Sequence, residues 1–175
     1  MPMKWTRLAW MGMLIGLVMA LPACKKMSTI SSENQRERED RIISDWLAEN
    51  NITNFQRTPS GLVHIPQVAG SGQPPRLNDS VAVHYTGSVL YGKVFDSSRF
   101  RGQPFGVRLG RTPVIAGWTE GLQLMRPGER ALLVIPSRLA YGVNGFMDQA
   151  TRQTVVPPHA ILIFDIEIVA IVRQP

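Results

Sequence analysis

Side chains able to do covalent or metal chemistry are few in this 175-residue sequence. The three histidines, His64, His84 and His159, have no partner ligands at metal-binding spacing, so they read as structural and no metal or cofactor is expected. The single cysteine, Cys24, rules out a disulfide within the chain. No Ser/His/Asp set, Cys/His pair or phosphate-cradling loop appears. These residue types offer no nucleophile, no metal centre and no phosphate cradle.

The elements that must position any site read as strands around one helix. Pro113 to Pro127 is the only good helix candidate in the second half of the chain: Trp118, Leu122 and Met125 share one face, Pro113 marks where it can start, and Pro127-Gly128 mark where it must stop. Gly117 and Gly121 each cost such a helix about 1 kcal/mol against alanine, so packing rather than propensity must hold it. Glycines one turn apart let a sheet approach the helix backbone, with Trp118 at the contact. Strands are predicted at 61–66, 80–86, 87–93 continuing into a turn at Tyr91-Gly92, 94–96, 104–109, 130–135 and 160–172, most joined by hairpin-length connections. The fold class is α+β, an antiparallel sheet wrapped around one short helix with an N-terminal helical extension.

Before this domain, Lys4 and Arg7 precede the apolar run Leu8 to Ala20, which suits a signal peptide and is too short to span a bilayer. The run ends in Leu21-Pro-Ala-Cys24, which resembles a bacterial lipobox and implies acylation of Cys24. Lys25-Lys26 would then sit at an anionic lipid surface. Residues 1–23 read as a lipoprotein-type signal peptide, 24–58 as a tether with a charged amphipathic helix, and 59–175 as the main domain. Ser32-Glu-Asn-Gln35 has the form of a capping box and predicts a helix over 32–49. Its apolar patch, Ile42, Ile43, Trp46 and Leu47, must pack on the main domain or on a second copy, making a homodimer through 32–49.

Composition, with 44% hydrophobic and 18% charged residues, argues for a packed globular domain. The formal charge of +6 falls to +4 without Lys4 and Arg7, and the basic residues are scattered, with no run of five, so nucleic-acid binding is not expected.

Eight short strings then occur in order: Val83-His-Tyr-Thr-Gly87, Gly92-Lys-Val-Phe-Asp-Ser-Ser98, Pro104-Phe105, Leu109-Gly110, Val114-Ile-Ala-Gly-Trp118, Glu120-Gly121, Ala140-Tyr-Gly142, and Val156-Pro-Pro-His-Ala160 followed by Phe164-Asp-Ile-Glu167. From about Gly61 to Val172 the chain closely resembles FKBP-type peptidyl-prolyl cis-trans isomerases. The resemblance implies an apolar pocket with Trp118 as its floor and Tyr85, Phe95, Phe105, Val114, Ile115, Tyr141, Val155, Val156 and Phe164 around it, and three polar positions, Asp96, Arg101 and the Tyr141 hydroxyl. It implies that the Ile115 N–H and the Tyr141 hydroxyl donate to a twisting carbonyl, that Asp96 faces the carbonyl carbon or holds the pocket's hydrogen bonds, and that Arg101 pairs with Asp96. Rotation about an X-Pro bond breaks no covalent bond, which agrees with the missing nucleophile.

The expected substrates are proline-containing, unfolded or partly folded exported proteins, with macrolides as possible inhibitors. The expected place is the membrane, through lipid on Cys24, at the periplasmic face of the outer membrane. The rival is a non-catalytic client-binding chaperone module that kept the pocket. Two departures from the family pattern matter. Val107 stands where a second aromatic is often found, which predicts a wider pocket on that side. Residues 143–154 form a longer loop than usual, in which Phe146 and Met147 are either an apolar lip or a tucked-in anchor.

Overall fold

The computed structural model describes residues 23–173, with side chains from 33 onward. The chain divides into two compact units, Met1–Asn34 and Gln35–Pro175. Residues 1–22 of the expected signal peptide lie outside the described residues, as does the side chain of Cys24.

Helix α1 (Ala23–Glu49) starts upstream of the expected capping box. No glycine or proline occurs between Pro22 and Asn50, so nothing stops the helix before Ser32. Gln35 Nε2 therefore donates forward to Glu39 Oε1 at 2.9 Å instead of serving a cap. The helix ends where Asn51 turns left-handed at φ 55° and Ile52 N–H donates to the Leu47 carbonyl at 2.9 Å.

Strands β1 (Gln56–Arg57), β2 (Val63–Val68), β3 (Ser80–Val89), β4 (Val94–Ser97) and β5 (Phe105–Arg108) precede helix α2 (Ala116–Leu122). After it come β6 (Arg130–Ile135), a 3-10 turn (Ser137–Leu139), β7 (Phe146–Met147), β8 (Thr154–Val156) and β9 (Leu162–Val172). The main sheet runs β1-β2-β6-β9-β3-β4, with β5 also on β3, and every pairing is antiparallel. The expected loop over 143–154 is instead largely a hairpin, β7 on β8. Asp148 closes its turn by accepting from the Ala150 and Thr151 amides, both at 2.8 Å.

Alternation along β9 shows how the sheet is used. Leu162, Phe164, Ile166 and Ile168 face α2 with Leu133, Ile135, Val83 and Trp118, forming the main core. Ile163 faces the other way and, with Leu132, Val134, Val63 and Ile65, meets Ile43 and Leu47 of α1. The patch on α1 thus packs on its own chain's sheet, the first of the two alternatives. The second compact unit, from Gln35 onward, contains this patch together with the sheet. Fully burying Ile43 and Leu47 contributes about 1.5–3 kcal/mol each before ordering costs.

Helix α2 is only 7 residues long, shorter than the stretch between its two prolines. It lies against β6 at Gly117 and Gly121, where an added Cβ would collide with Ile135 Cγ2 and Leu133 Cδ1 respectively. Alanine normally gains about 1 kcal/mol over glycine in a helix. Here Gly117→Ala should instead destabilise by about 1–3 kcal/mol, because the branched Ile135 cannot swing away. Gly121→Ala should cost less, since it meets the flexible end of Leu133. Urea-unfolding midpoints of the two variants check both the sign and the order.

Candidate functional site

The site is built upward from Trp118, which is 4% exposed on α2. Three rings meet it edge-on: Tyr85 from β3 at 4.9 Å, Phe164 from β9 at 5.3 Å and Phe105 from β5 at 6.0 Å between centroids. Phe95 from β4 stands edge-on to Phe164 at 5.7 Å. These geometries favour aromatic contact over face-to-face stacking. Gly87 makes the corner possible, since a Cβ there would lie 2.6 Å from Phe164 and 2.9 Å from Phe95. Pro113, Val114, Ile115, Tyr141 and Phe146 complete a cavity of about 470 Å³, large enough for a few residues of peptide. The Trp118 indole N–H is buried and has no acceptor among the described residues.

One edge of this apolar cavity is polar. Asp96, opposite Gly87 in the β3–β4 ladder, accepts a short hydrogen bond from the Tyr85 hydroxyl and another from Arg101 at 2.5 Å. Arg101 also donates to the Tyr85 oxygen at 2.8 Å, closing a triangle, and its guanidinium sits 5.7 Å from the centre of the Tyr85 ring. The neighbouring serines hold the turn: Ser98 Oγ accepts from the Tyr85 amide at 2.8 Å, and Ser97 Oγ donates to the Tyr85 carbonyl at 3.1 Å. Asp96 is thereby left for the pocket.

Burial pushes the Asp96 carboxyl up, but the hydrogen bonds from Tyr85 and Arg101 and the guanidinium charge outweigh it, and the group ends below the usual carboxylate value. Burial raises the Tyr85 hydroxyl first, and its bond to Asp96 raises it further. The Tyr141 hydroxyl is raised by burial and then by the charge of Asp96. At neutral pH the edge holds an ionised Asp96 and two protonated phenols.

Two donors in the wall are unused. The Tyr141 hydroxyl makes no hydrogen bond among the described residues. The Ile115 N–H precedes the first turn of α2, where amides have no intrahelical partner.

Most of the expected residues come together here: Asp96, Tyr141, Ile115, Tyr85, Phe95, Phe105, Val114, Trp118 and Phe164 all line the cavity. Arg101 stands behind Asp96 and Tyr85 rather than in the wall. Val155 and Val156 do not reach the cavity, because β8 pairs with β7 and turns Val156 into the core, 1% exposed. Val107 is likewise core, at 1%, and does not line the cavity. Phe146 is a lip: it lines the cavity, stacks on Tyr141 at 5.2 Å and remains 44% exposed. Pro113 was legible only as a helix boundary, although the same placement puts its ring in the wall. The histidines lie elsewhere, His64 on Glu129 at 2.6 Å and His84 on Ser98 at 3.3 Å.

The lowered Asp96 value fixes a sign. A carboxyl easier to ionise in the folded state stabilises above its unfolded value, about 3.9, and that stability is lost as pH falls through the lower native value. The unfolding free energies of the parent and Asp96→Asn should therefore differ by a constant amount above about pH 5, and the gap should shrink below about pH 4. Urea titrations across this range measure it.

Comparison with known proteins gives consistent matches. The profile of the family described as FKBP-type peptidyl-prolyl cis-trans isomerase matches residues 71–169. The macrophage infectivity potentiator of Trypanosoma cruzi is 43% identical over 139 residues, covering 79% of this chain and 66% of that protein. The FKBP-type peptidyl-prolyl cis-trans isomerase FkpA of Aeromonas hydrophila is 39% identical over 139 residues, covering 79% of this chain and 47% of that protein. The chain thus spans between about half and two-thirds of the length of these curated relatives. The crystal structure of FkpA from Escherichia coli superposes with a TM-score of 0.66 at 32% identity, over 87% of this chain and 66% of that one.

Proposed function

Because the chain belongs to the family of FKBP-type peptidyl-prolyl cis-trans isomerases, we propose that it rotates X-Pro bonds of protein substrates in the Trp118 cavity, with no covalent intermediate. The observation that carries this reading is the combination within one apolar cavity of an ionised, hydrogen-bonded Asp96 and two unused donors, Ile115 N–H and Tyr141 hydroxyl.

The barrier of about 18–20 kcal/mol comes from amide resonance, which is lost as the bond twists. A planar X-Pro amide is more polar than the twisted one, so removing it from water among Trp118, Tyr85, Phe105 and Phe164 favours the twisted form. A donor that bonds the carbonyl better after it has rotated adds to that difference and lowers the barrier further. The Ile115 N–H and Tyr141 hydroxyl serve this purpose, and Asp96 faces the carbonyl carbon or orders the edge. A millionfold acceleration requires about 8 kcal/mol in total, within the range of positioning, desolvation and one or two hydrogen bonds.

The exposed lip of Phe146 and Met147, 44% and 45% exposed, gives apolar residues beside the proline a place to bind. Sequence features extend the reading to place and clients. On this reading lipidation of Cys24 tethers the protein at the periplasmic face of the outer membrane, exported proteins are its substrates, and macrolides are its expected inhibitors.

The cis-to-trans rate of a short proline peptide at low temperature tests the activity. The parent should accelerate it strongly, and Asp96→Ala with Tyr141→Phe should lower kcat/KM on the order of a hundredfold together. A folded parent with no acceleration would instead favour a client-binding module. Labelled palmitate should enter the full chain made in a Gram-negative host and be absent from Cys24→Ser; an unlabelled parent would end the tether reading.

A further inference from the structure

Glu39 is out of character with its surroundings. Its neighbours Glu37, Arg38 and Arg41 on α1 are exposed, yet Glu39 is 2% exposed. A carboxylate is taken out of water only where polar partners replace the water. Besides Gln35 one turn earlier, its partner lies 98 residues away: Ser137 N–H donates to Oε2 at 3.1 Å and Ser137 Oγ to Oε1 at 2.5 Å. Arg138 adds its charge at 3.8 Å and also donates to the Ser60 carbonyl.

What Ser137 holds in turn is the pocket. Its carbonyl accepts from the Ala140 amide at 2.9 Å and the Gly142 amide at 2.8 Å, the two residues that flank Tyr141. Strand β6 ends at Ile135 and Pro136 has no N–H, so the ladder cannot hold this turn. We infer that Glu39 is a positioning residue for the pocket: by gripping the Ser137 amide and hydroxyl it sets the turn that carries Tyr141, and so couples the N-terminal helix to the cavity wall. The inference deepens the isomerase reading and rests on it for its kinetic consequence.

The test compares the full chain with Glu39→Ala, Glu39→Gln, Ser137→Ala and Ile43→Ala, the last loosening the packing of α1 without touching Ser137. Glu39→Ala should lower kcat/KM for a proline peptide on the order of tenfold, as expected for a slightly misplaced group. Glu39→Gln and Ser137→Ala, which each keep part of the grip, should fall between it and the parent, and Ile43→Ala should match the parent at a temperature where all are folded. In a Tyr141→Phe background the Glu39→Ala loss should largely vanish, because both changes act through one group. Hydrogen exchange at the Ala140 and Gly142 amides should speed up in Glu39→Ala while β6 amides keep their protection.

Unchanged exchange at those two amides, or a Glu39→Ala loss that persists in full without the Tyr141 hydroxyl, would overturn the assignment. A parent that does not isomerise the peptide would sink the isomerase reading by itself, and the exchange result would then decide the positioning role alone.

Discussion

The contact between α2 and β6 governs the rest of the domain. A helix of 7 residues with two glycines has little stability of its own, and it persists because those glycines let its backbone settle onto Leu133 and Ile135. The depth of that seat sets the height of Trp118, and three rings from three different strands are arranged against Trp118. A larger residue at either glycine would lift the floor of the cavity. The same residues that weaken the helix locally therefore define the pocket globally.

A second constraint concerns charge. An ionised carboxylate at the edge of an aromatic cavity is costly unless its oxygens are occupied, and Asp96 has Tyr85 and Arg101 on them. Tyr85 serves both parts of the site: its ring packs against Trp118 and its hydroxyl against Asp96. The apolar wall and the polar edge thus share a side chain, and neither can be moved without the other.

Much of this was readable in the sequence. Alternation in 80–86 and 160–172 identified the two central strands, and the glycines at 117 and 121 announced a close helix–sheet contact. The strings around Tyr85, Phe95-Asp96, Ile115, Trp118 and Tyr141 marked nearly the whole wall. What escaped had physical reasons. The capping-box pattern at Ser32 was overridden because nothing upstream breaks the helix. The fates of Val155 and Val156 depended on a hairpin whose partner, Phe146–Met147, is only two residues long and carries no periodicity. Glu39 looked like one more charge on a solvated face, since its partner lies 98 residues further on and only the fold brings the two together. A signal for the second covered face was present all the same: Leu132, Val134 and Ile163 are apolar on the side of the sheet away from α2, as in a sheet packed on both faces.

Strand β9 lies between β6 and β3 in the middle of the sheet, yet it is the last strand in order among the described residues. As the chain is synthesised, N-terminus first, β2 and β6 can pair, and β3 can find β4 and β5, but the two halves have no common edge until residues 162–172 emerge. Pairing over such sequence separations is slow. The aromatic cavity, with Phe164 as part of its wall, is therefore among the last things to form.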